Sequence, residues 1–333
     1  MKKAIAFLLL PLLAGTLLFS CSNSESDKNS ALLHQPPFRG LTDSIRRFPD
    51  NAELYLNRAL LLSQQNLHPL ATADYKKAWE LKPTEASGLE YAANLMLVSD
   101  LRGALDLLQQ CRKQFPQNPE FNRRLSEAYA LMGKKEAALG ELDALLRSDS
   151  TDFMTWYDRG QLLLKLKDSA AGIASLEKSY SIQPVTYTAL ALANIYSLKG
   201  DERVIRICDD IIRKDTSGTN VDALFLKGVY YSDKQQYAKA LVMFDACIGT
   251  DWKFADAHIE KGIVYFETKA LDKALESFKV AANVSATNPD AYFWQGRVHE
   301  ARGEKAEAIE SYERALSFDP EFVEAELRLE RLK

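Results

Sequence analysis

The chain has 333 residues, enough for two ordinary domains or one elongated array. Hydrophobic residues make up 47% and charged residues 26%, which excludes a disordered or collagen-like chain, and 15 Gly with 11 Pro disfavour an all-β protein of many tight turns. A net charge of −4 argues against a nucleic-acid binder, and four cysteines are too few for a disulfide scaffold.

Lys2 and Lys3 form a basic start, and Ala4 to Phe19 follow as an apolar run without a charge. The run stops at Leu18-Phe19-Ser20-Cys21, as a secretory signal does. Its sixteen residues fall short of the roughly 20 that a spanning helix needs. A cysteine directly after such a core resembles the lipobox of bacterial lipoproteins. The resemblance implies a signal peptide over 1–20, lipid attachment at Cys21 and an exported, membrane-anchored protein. With Ser22 rather than an aspartate behind the cysteine, it implies the outer membrane and leaves the face open. Each buried acyl CH₂ contributes about 0.8 kcal/mol to such an anchor. Residues 21–37, rich in Ser, Asn and charge and ending in Pro36-Pro37, read as a lipidated flexible tether.

Within 38–51, Leu41 to Phe48 followed by Pro49 reads as a second helix without its first, an N-terminal partial repeat. Landmarks then recur along the chain. A small residue is followed three positions later by Tyr or a similar residue at Gly160/Leu163, Ala193/Tyr196, Gly228/Tyr231, Gly262/Tyr265 and Gly296/His299. Nine residues further on sit Gly172, Ile205, Ala240, Ala274 and Ala308, and four beyond them Leu176, Asp209, Phe244, Phe278 and Tyr312. Pro184 and Pro320 close two of the units.

This pattern resembles the tetratricopeptide repeat. Repeat starts fall at Ala52, Glu85, Pro119, Phe153, Thr186, Val221, Ala255 and Pro289, in steps of 33 to 35 residues. The resemblance implies an all-α protein, a right-handed α-solenoid of about eight helix-turn-helix repeats over 52–322 with a capping helix over 323–333. The spacing itself supports helices: in each first helix the fourth, seventh, eighth and eleventh positions share one face. Small residues at the eighth and twentieth positions let paired helices approach, and each unit buries its faces against its neighbours.

Departures from the pattern carry expectations of their own. Arg58 stands in an apolar slot of repeat one, and Gly88 in the aromatic slot of repeat two. Repeat five has Ile205 in a small-residue slot and Asp209 in an aromatic one, which predicts looser packing there. In the cap, Val323, Leu327 and Leu329 form the apolar side and charges the other.

No phosphate-cradling loop and no Gly-x-Ser-x-Gly is present. His258 and His299 fall on core landmarks, and no H-E-x-x-H or C-x₂-C spacing exists. The expectation is a non-enzyme without catalytic residues, cofactor or metal. Cys111, Cys208 and Cys247 lie in separate repeats and read as buried thiols.

In the family that the chain resembles, first helices line a concave groove with their second, fifth, ninth and twelfth positions. Here that stripe includes Met154, Tyr157, Tyr187, Leu190, Asn194, Phe225, Val229, Ile259, Ile263, Phe266 and Phe293, the expected partner-binding residues. A solvated face has no need of so apolar a stripe. The chaperone-type carboxylate clamp of the family is not matched, since Leu190 pairs with Asn194 and Arg123 with Glu127 at its positions. From Ala255 onward 16 acidic residues face 11 basic ones, either a solvated end or a contact for a basic partner. The expected function is a membrane-anchored scaffold or adaptor that binds envelope proteins through the groove, in assembly of an envelope, secretion or pilus complex. A structural homo-oligomer, a small-ligand receptor or an enzyme are the alternatives.

Overall fold

The structure, a computed structural model, describes residues 31–333. The expected signal peptide over 1–20 and the expected lipid-attachment residue Cys21 lie outside the described residues. Among the described residues there are helices and no strands, in two compact units divided after Asp143. The first unit holds α1 (Arg39–Arg47), α2 (Ala52–Gln64), α3 (His68–Leu81), α4 (Glu85–Leu97), α5 (Leu101–Gln114) and α6 (Glu120–Leu131). Helix α7 (Lys135–Ser148) runs across the division. The second unit holds α8 (Phe153–Lys165), α9 (Ser169–Ile182), α10 (Thr186–Leu198), α11 (Arg203–Lys214), α12 (Val221–Asp233), α13 (Tyr237–Thr250), α14 (Ala255–Glu267), α15 (Leu271–Val284), α16 (Pro289–Arg302), α17 (Lys305–Phe318) and α18 (Val323–Leu332).

Helix starts are capped where the sequence offers an acceptor. Asn51, Asp152, Asn220 and Asn288 accept from backbone N–H groups of the first turns behind them, and Thr84 forms a reciprocal capping box with Ser87. Helix ends share a tighter device. In all eight repeats the fifteenth residue takes positive φ: Asn66, Ser99, Gly133, Lys167, Gly200, Gln235, Lys269 and Gly303 lie between 56° and 78°. The next N–H then donates back to the eleventh residue's carbonyl, as from Leu67 to Leu62, Asp168 to Leu163 and Glu304 to His299. This is the Schellman motif, which satisfies the last carbonyls and turns the chain back at once.

Paired helices meet through the small-residue landmarks. A Cβ on Gly228 or Gly262 would stand 2.5 Å from the ring of Phe244 or Phe278, and one on Gly296 2.6 Å from that of Tyr312. These rings are fully buried, so nothing could yield. At Gly88 the neighbours are Cys111 Sγ and the Trp79 ring, at 2.6 and 2.9 Å. The aromatic absent from repeat two is thus supplied from repeat one.

Repeat five is not loose. Val204, Ile207, Cys208 and Ile211 are buried in one cluster with Leu176, Ala189, Leu192, Ala193 and Tyr196. The i, i+3, i+4, i+7 stripe of α11 lies one residue earlier than Ile205, Asp209 and Ile212, so the helix is turned and Asp209 points outward to pair with Lys227. The helix has 12 residues where the other second helices of this unit have 14, which accommodates the shift.

Of the expected tether over 21–37 only residues 31–37 are described, and these pack on the first unit. Leu32 and Leu33 pack against Phe38, Ala59, Leu62, Ala71 and Tyr75, because two leucines beside the open end of a solenoid gain more by covering it than by hydration. The Thr42 hydroxyl donates to the Leu33 carbonyl at 2.7 Å, and Arg58 Nη1 donates to the same hydroxyl at 3.0 Å. Arg58 also grips Asp74 with two bonds of 2.6 and 2.8 Å, away from water. The polar residue in the apolar slot therefore ties the start of the described chain and α1 to the first repeat. At the other end, α18 turns Ala325 and Leu329 inward, whereas Val323 and Leu327 are exposed. The inward face is set by Phe293 and Phe322 below it, not by the larger number of aliphatics.

Four of the eight left-handed turns use Ser, Lys or Gln, for which that conformation costs roughly 1–2 kcal/mol. Glycine there loses part of the gain to its looser unfolded state. The triple variant K167G/Q235G/K269G is expected to raise the urea midpoint, with a net gain of about 0.5 kcal/mol per site; an unchanged or lower midpoint would refute the strain. R58A, which strands a buried Asp74, is expected to lose about 3 kcal/mol in the same measurement, largely restored in R58L/D74L.

Candidate partner-binding groove

In the second unit the first helices touch one another from repeat to repeat, α10 with α12, α12 with α14 and α14 with α16, and the second helices make no comparable contact. The shorter spacing on that side makes it the inner, concave face. Its lining follows from the stripe of positions beside each core stripe.

The eleven expected residues divide into three groups. Met154, Tyr187 and Asn194 are exposed, the first two at 42% each. Tyr157, Leu190, Phe225, Val229 and Ile263 are half-buried. Tyr157 meets Tyr187 edge-on with ring centres 4.7 Å apart, so repeats four and five share one aromatic ledge. Phe225 is wedged between Phe244 and Phe254, at 6.1 and 5.2 Å. Val229 lies against the same cluster, and Ile263 against the next.

The third group corrects the sequence reading. Ile259, Phe266 and Phe293 are buried, at 7%, 7% and 3% exposure. Phe266 is covered by the Trp294 ring at 5.7 Å, and Phe293 by Phe322 at 4.8 Å and Tyr312 at 5.8 Å. The Arg297 guanidinium lies over Phe266 and Trp294 at 5.3 and 5.2 Å and closes the surface. These three residues are core, and the exposed apolar residues of the expected stripe, Met154 and Tyr187, lie in repeats four and five.

Beyond the ledge the inner face turns acidic, which the stripe alone did not single out. Asp222, Asp256 and Asp290 occupy the second position of α12, α14 and α16. Glu260 stands one turn further along α14, and Asp233 ends α12. Burial and the charges of Asp233, Asp256 and Asp290 push the Glu260 carboxyl up to about 7. Burial, Asp256 and Asp319 also raise Asp290. The cations of these helices are engaged elsewhere: Lys227 on Asp209, Lys261 on Asp245 at 2.6 Å, and Arg297 on Glu324 at 3.4 Å.

The remaining chemistry is quiet. Cys111, Cys208 and Cys247 are free and buried, and burial pushes each thiol up to about 12. His258 Nε2 lies 3.0 Å from the Trp252 carbonyl, and His299 Nδ1 2.5 Å from Glu304. Among the described residues no group of His, Cys, Asp and Glu has the geometry to hold a metal ion, and no helix is long and apolar enough to cross a membrane.

Three family models, each of the tetratricopeptide repeat, match residues 95–153, 155–186 and 289–322. The chain is a tetratricopeptide repeat protein. No curated protein matches its sequence. Among solved structures it is similar to the C-terminal part of a TPR repeat-containing protein from Cytophaga hutchinsonii, with 15% identity over 71% of this chain and 96% of that one, at a TM-score of 0.52. It is also similar to PilW, a widely conserved type IV pilus biogenesis factor, with 19% identity over 64% of this chain and 99% of that one, at 0.52. A third likeness is to the Cut9–Hcn1 hetero-tetramer of the APC/C, with 15% identity over 90% of this chain and 60% of that one, also at 0.52. These likenesses show the solenoid fold. Tetratricopeptide repeat proteins are in general non-enzymatic scaffolds that bind protein partners, and no catalytic family is indicated.

The raised Glu260 carboxyl makes a pH prediction for the tetratricopeptide array. An acid whose folded pKa lies above its unfolded value favours folding at low pH and loses that contribution as pH rises from about 4.5 through about 7. The charged groups around it are Asp233, Asp256 and Asp290. E260Q is therefore expected to be more stable than the parent at pH 8, by about 2 kcal/mol after allowance for partial solvation. The difference should close below about pH 5 in thermal melts of both proteins. A gap independent of pH would contradict the assignment.

Proposed function

We propose that this protein is a lipid-anchored scaffold of the bacterial cell envelope, and that its inner face in repeats four and five captures a segment of another envelope protein. The observation that carries the capture is the Tyr157–Tyr187 ledge, with Met154 one turn before Tyr157 on α8, half-buried to exposed on the first helices of repeats four and five. Paired aromatics present a large contact area at low entropic cost, and such residues dominate binding energy at interfaces. The anchor rests on the sequence alone, through Cys21 after its apolar core. Assembly of an envelope, secretion or pilus complex is the role this combination suits. A pilus biogenesis factor of the same fold gives it a precedent.

The capture is tested by crosslinking from native envelopes, with the full chain beside Y157S/Y187S. Phe225 is left intact because it is half-buried and packs on Phe244 and Phe254, so its loss would also disturb the fold. Loss of two such anchors is expected to weaken partner recovery by at least about tenfold while the melting temperature is kept. Recovery of the same proteins by both would remove the ledge from the interface. Crosslinks to a second copy alone would favour the homo-oligomer. In parallel, C21S is expected to move the protein from the membrane fraction to the soluble one and to abolish labelling by a radioactive fatty acid; retention in the membrane would refute the anchor.

A further inference from the structure

The inner face of repeats six to eight differs from that of repeats four and five in what it leaves for a partner to touch. Ile259, Phe266 and Phe293 are sunk into the core, and Arg297 is held over their neighbouring rings. The exposed charge along this stretch is carboxylate: Asp222, Asp256, Asp290 and Asp233 are exposed and Glu260 is half-buried near Asp233, Asp256 and Asp290, whereas Phe225, Val229 and Ile263 are half-buried against the core. None of the five is in an ion pair among the described residues, whose nearby cations pair with Asp209, Asp245 and Glu324.

One ordinary explanation covers part of this. Asp222, Asp256 and Asp290 lie in first turns, where a negative charge offsets the helix dipole. It does not cover the other two. Asp233 ends α12, where the dipole repels an anion, and Glu260 sits in the second turn of α14, where it has no N-terminal benefit. Both add to the repulsion without a local return. The raised Asp290 and Glu260 carboxyls register the same crowding. A solvated surface disperses such charges among lysines and arginines. Here the lysines of α12 and α14 are turned away to Asp209 and Asp245.

We infer that the protein segment held in this groove is two-part, apolar where it lies on the Tyr157–Tyr187 ledge and basic, with several Lys or Arg, where it crosses repeats six to eight. The inference rests on the groove reading above and adds the partner's chemistry and its direction along the array. The ledge anchors the segment. The carboxylates, unpaired in the free protein, steer it and fix its polarity, since the reverse orientation would set apolar side chains on Asp256, Glu260 and Asp290. Bound cations would relieve repulsion already present, so little desolvation of existing ion pairs opposes the docking.

The test is selection of random displayed 15-residue peptides on the full chain in detergent. Fluorescence anisotropy of the enriched peptides then follows on the parent, on D256N/E260Q/D290N and on Y157S/Y187S. The expected peptides carry net positive charge clustered at one end and apolar residues at the other. Their affinity should fall about tenfold or more in the neutralised variant, and by a similar factor between 50 and 250 mM salt. They should also weaken in Y157S/Y187S. Neutralisation removes repulsion, so the variant should fold, and its melting temperature checks this. Enriched peptides without positive charge, or with equal affinity for parent and neutralised variant, would overturn the inference. If those peptides still fail on Y157S/Y187S, the groove stands and only the basic segment falls. If neither variant weakens them, or no peptide is enriched, both readings fall.

Discussion

The left-handed residue at position fifteen is the constraint on which each repeat depends. An α-helix leaves its last carbonyls unsatisfied, and a second helix packed antiparallel against it must start within a few residues. One residue at positive φ meets both needs, because it returns two N–H groups to the helix just ended and reverses the chain. With that reversal fixed, the eighth and twentieth positions face each other in every repeat but the fifth, where α11 is turned, and only small side chains fit there. The aromatic at the twenty-fourth position then fills the seam, as Phe244, Phe278 and Tyr312 do. Position, pairing and side-chain size thus follow from one backbone torsion repeated eight times.

The pairing was legible in the amino-acid sequence, because glycine opposite an aromatic at constant spacing has few other uses. The turn was less so. Gly133, Gly200, Gly303 and Asn66 advertise positive φ, but Ser99, Lys167, Gln235 and Lys269 occupy the same place against their own preference. Only the alignment of all eight repeats marks them, through the four that conform. Repeat five misled for a related reason. Landmarks were counted from the repeat start, whereas the helix obeys its own apolar periodicity, and Val204, Ile207, Cys208 and Ile211 chose the buried face.

The groove shows where periodicity stops informing. The stripe carries apolar residues in each of repeats four to eight, yet it is accessible at Met154 and Tyr187 and closed at Phe266 and Phe293. The difference comes from residues outside the stripe. Trp294, Tyr312 and Phe322 supply rings that cover the later positions, whereas Tyr187 meets the Tyr157 ring edge-on and keeps 42% of its surface exposed. Whether a side chain on a solenoid face is free is set by the bulk of its neighbours in the next repeat, which a single stripe does not contain. The acidic residues went unassigned on similar grounds, since Asp233 and Glu260 come from different positions of different repeats and meet only in space.

The three buried cysteines carry a consequence for how the array can be watched. Cys111 belongs to repeat two, Cys208 to repeat five and Cys247 to repeat six, each sealed from solvent with its thiol pushed up to about 12. A thiol so placed reacts with an alkylating reagent only when its own helix pair opens. In a chain of nearest-neighbour units such openings need not be simultaneous. The native protein therefore contains three clocks at fixed stations, each timing the local fraying of its own repeat without any residue having to be introduced.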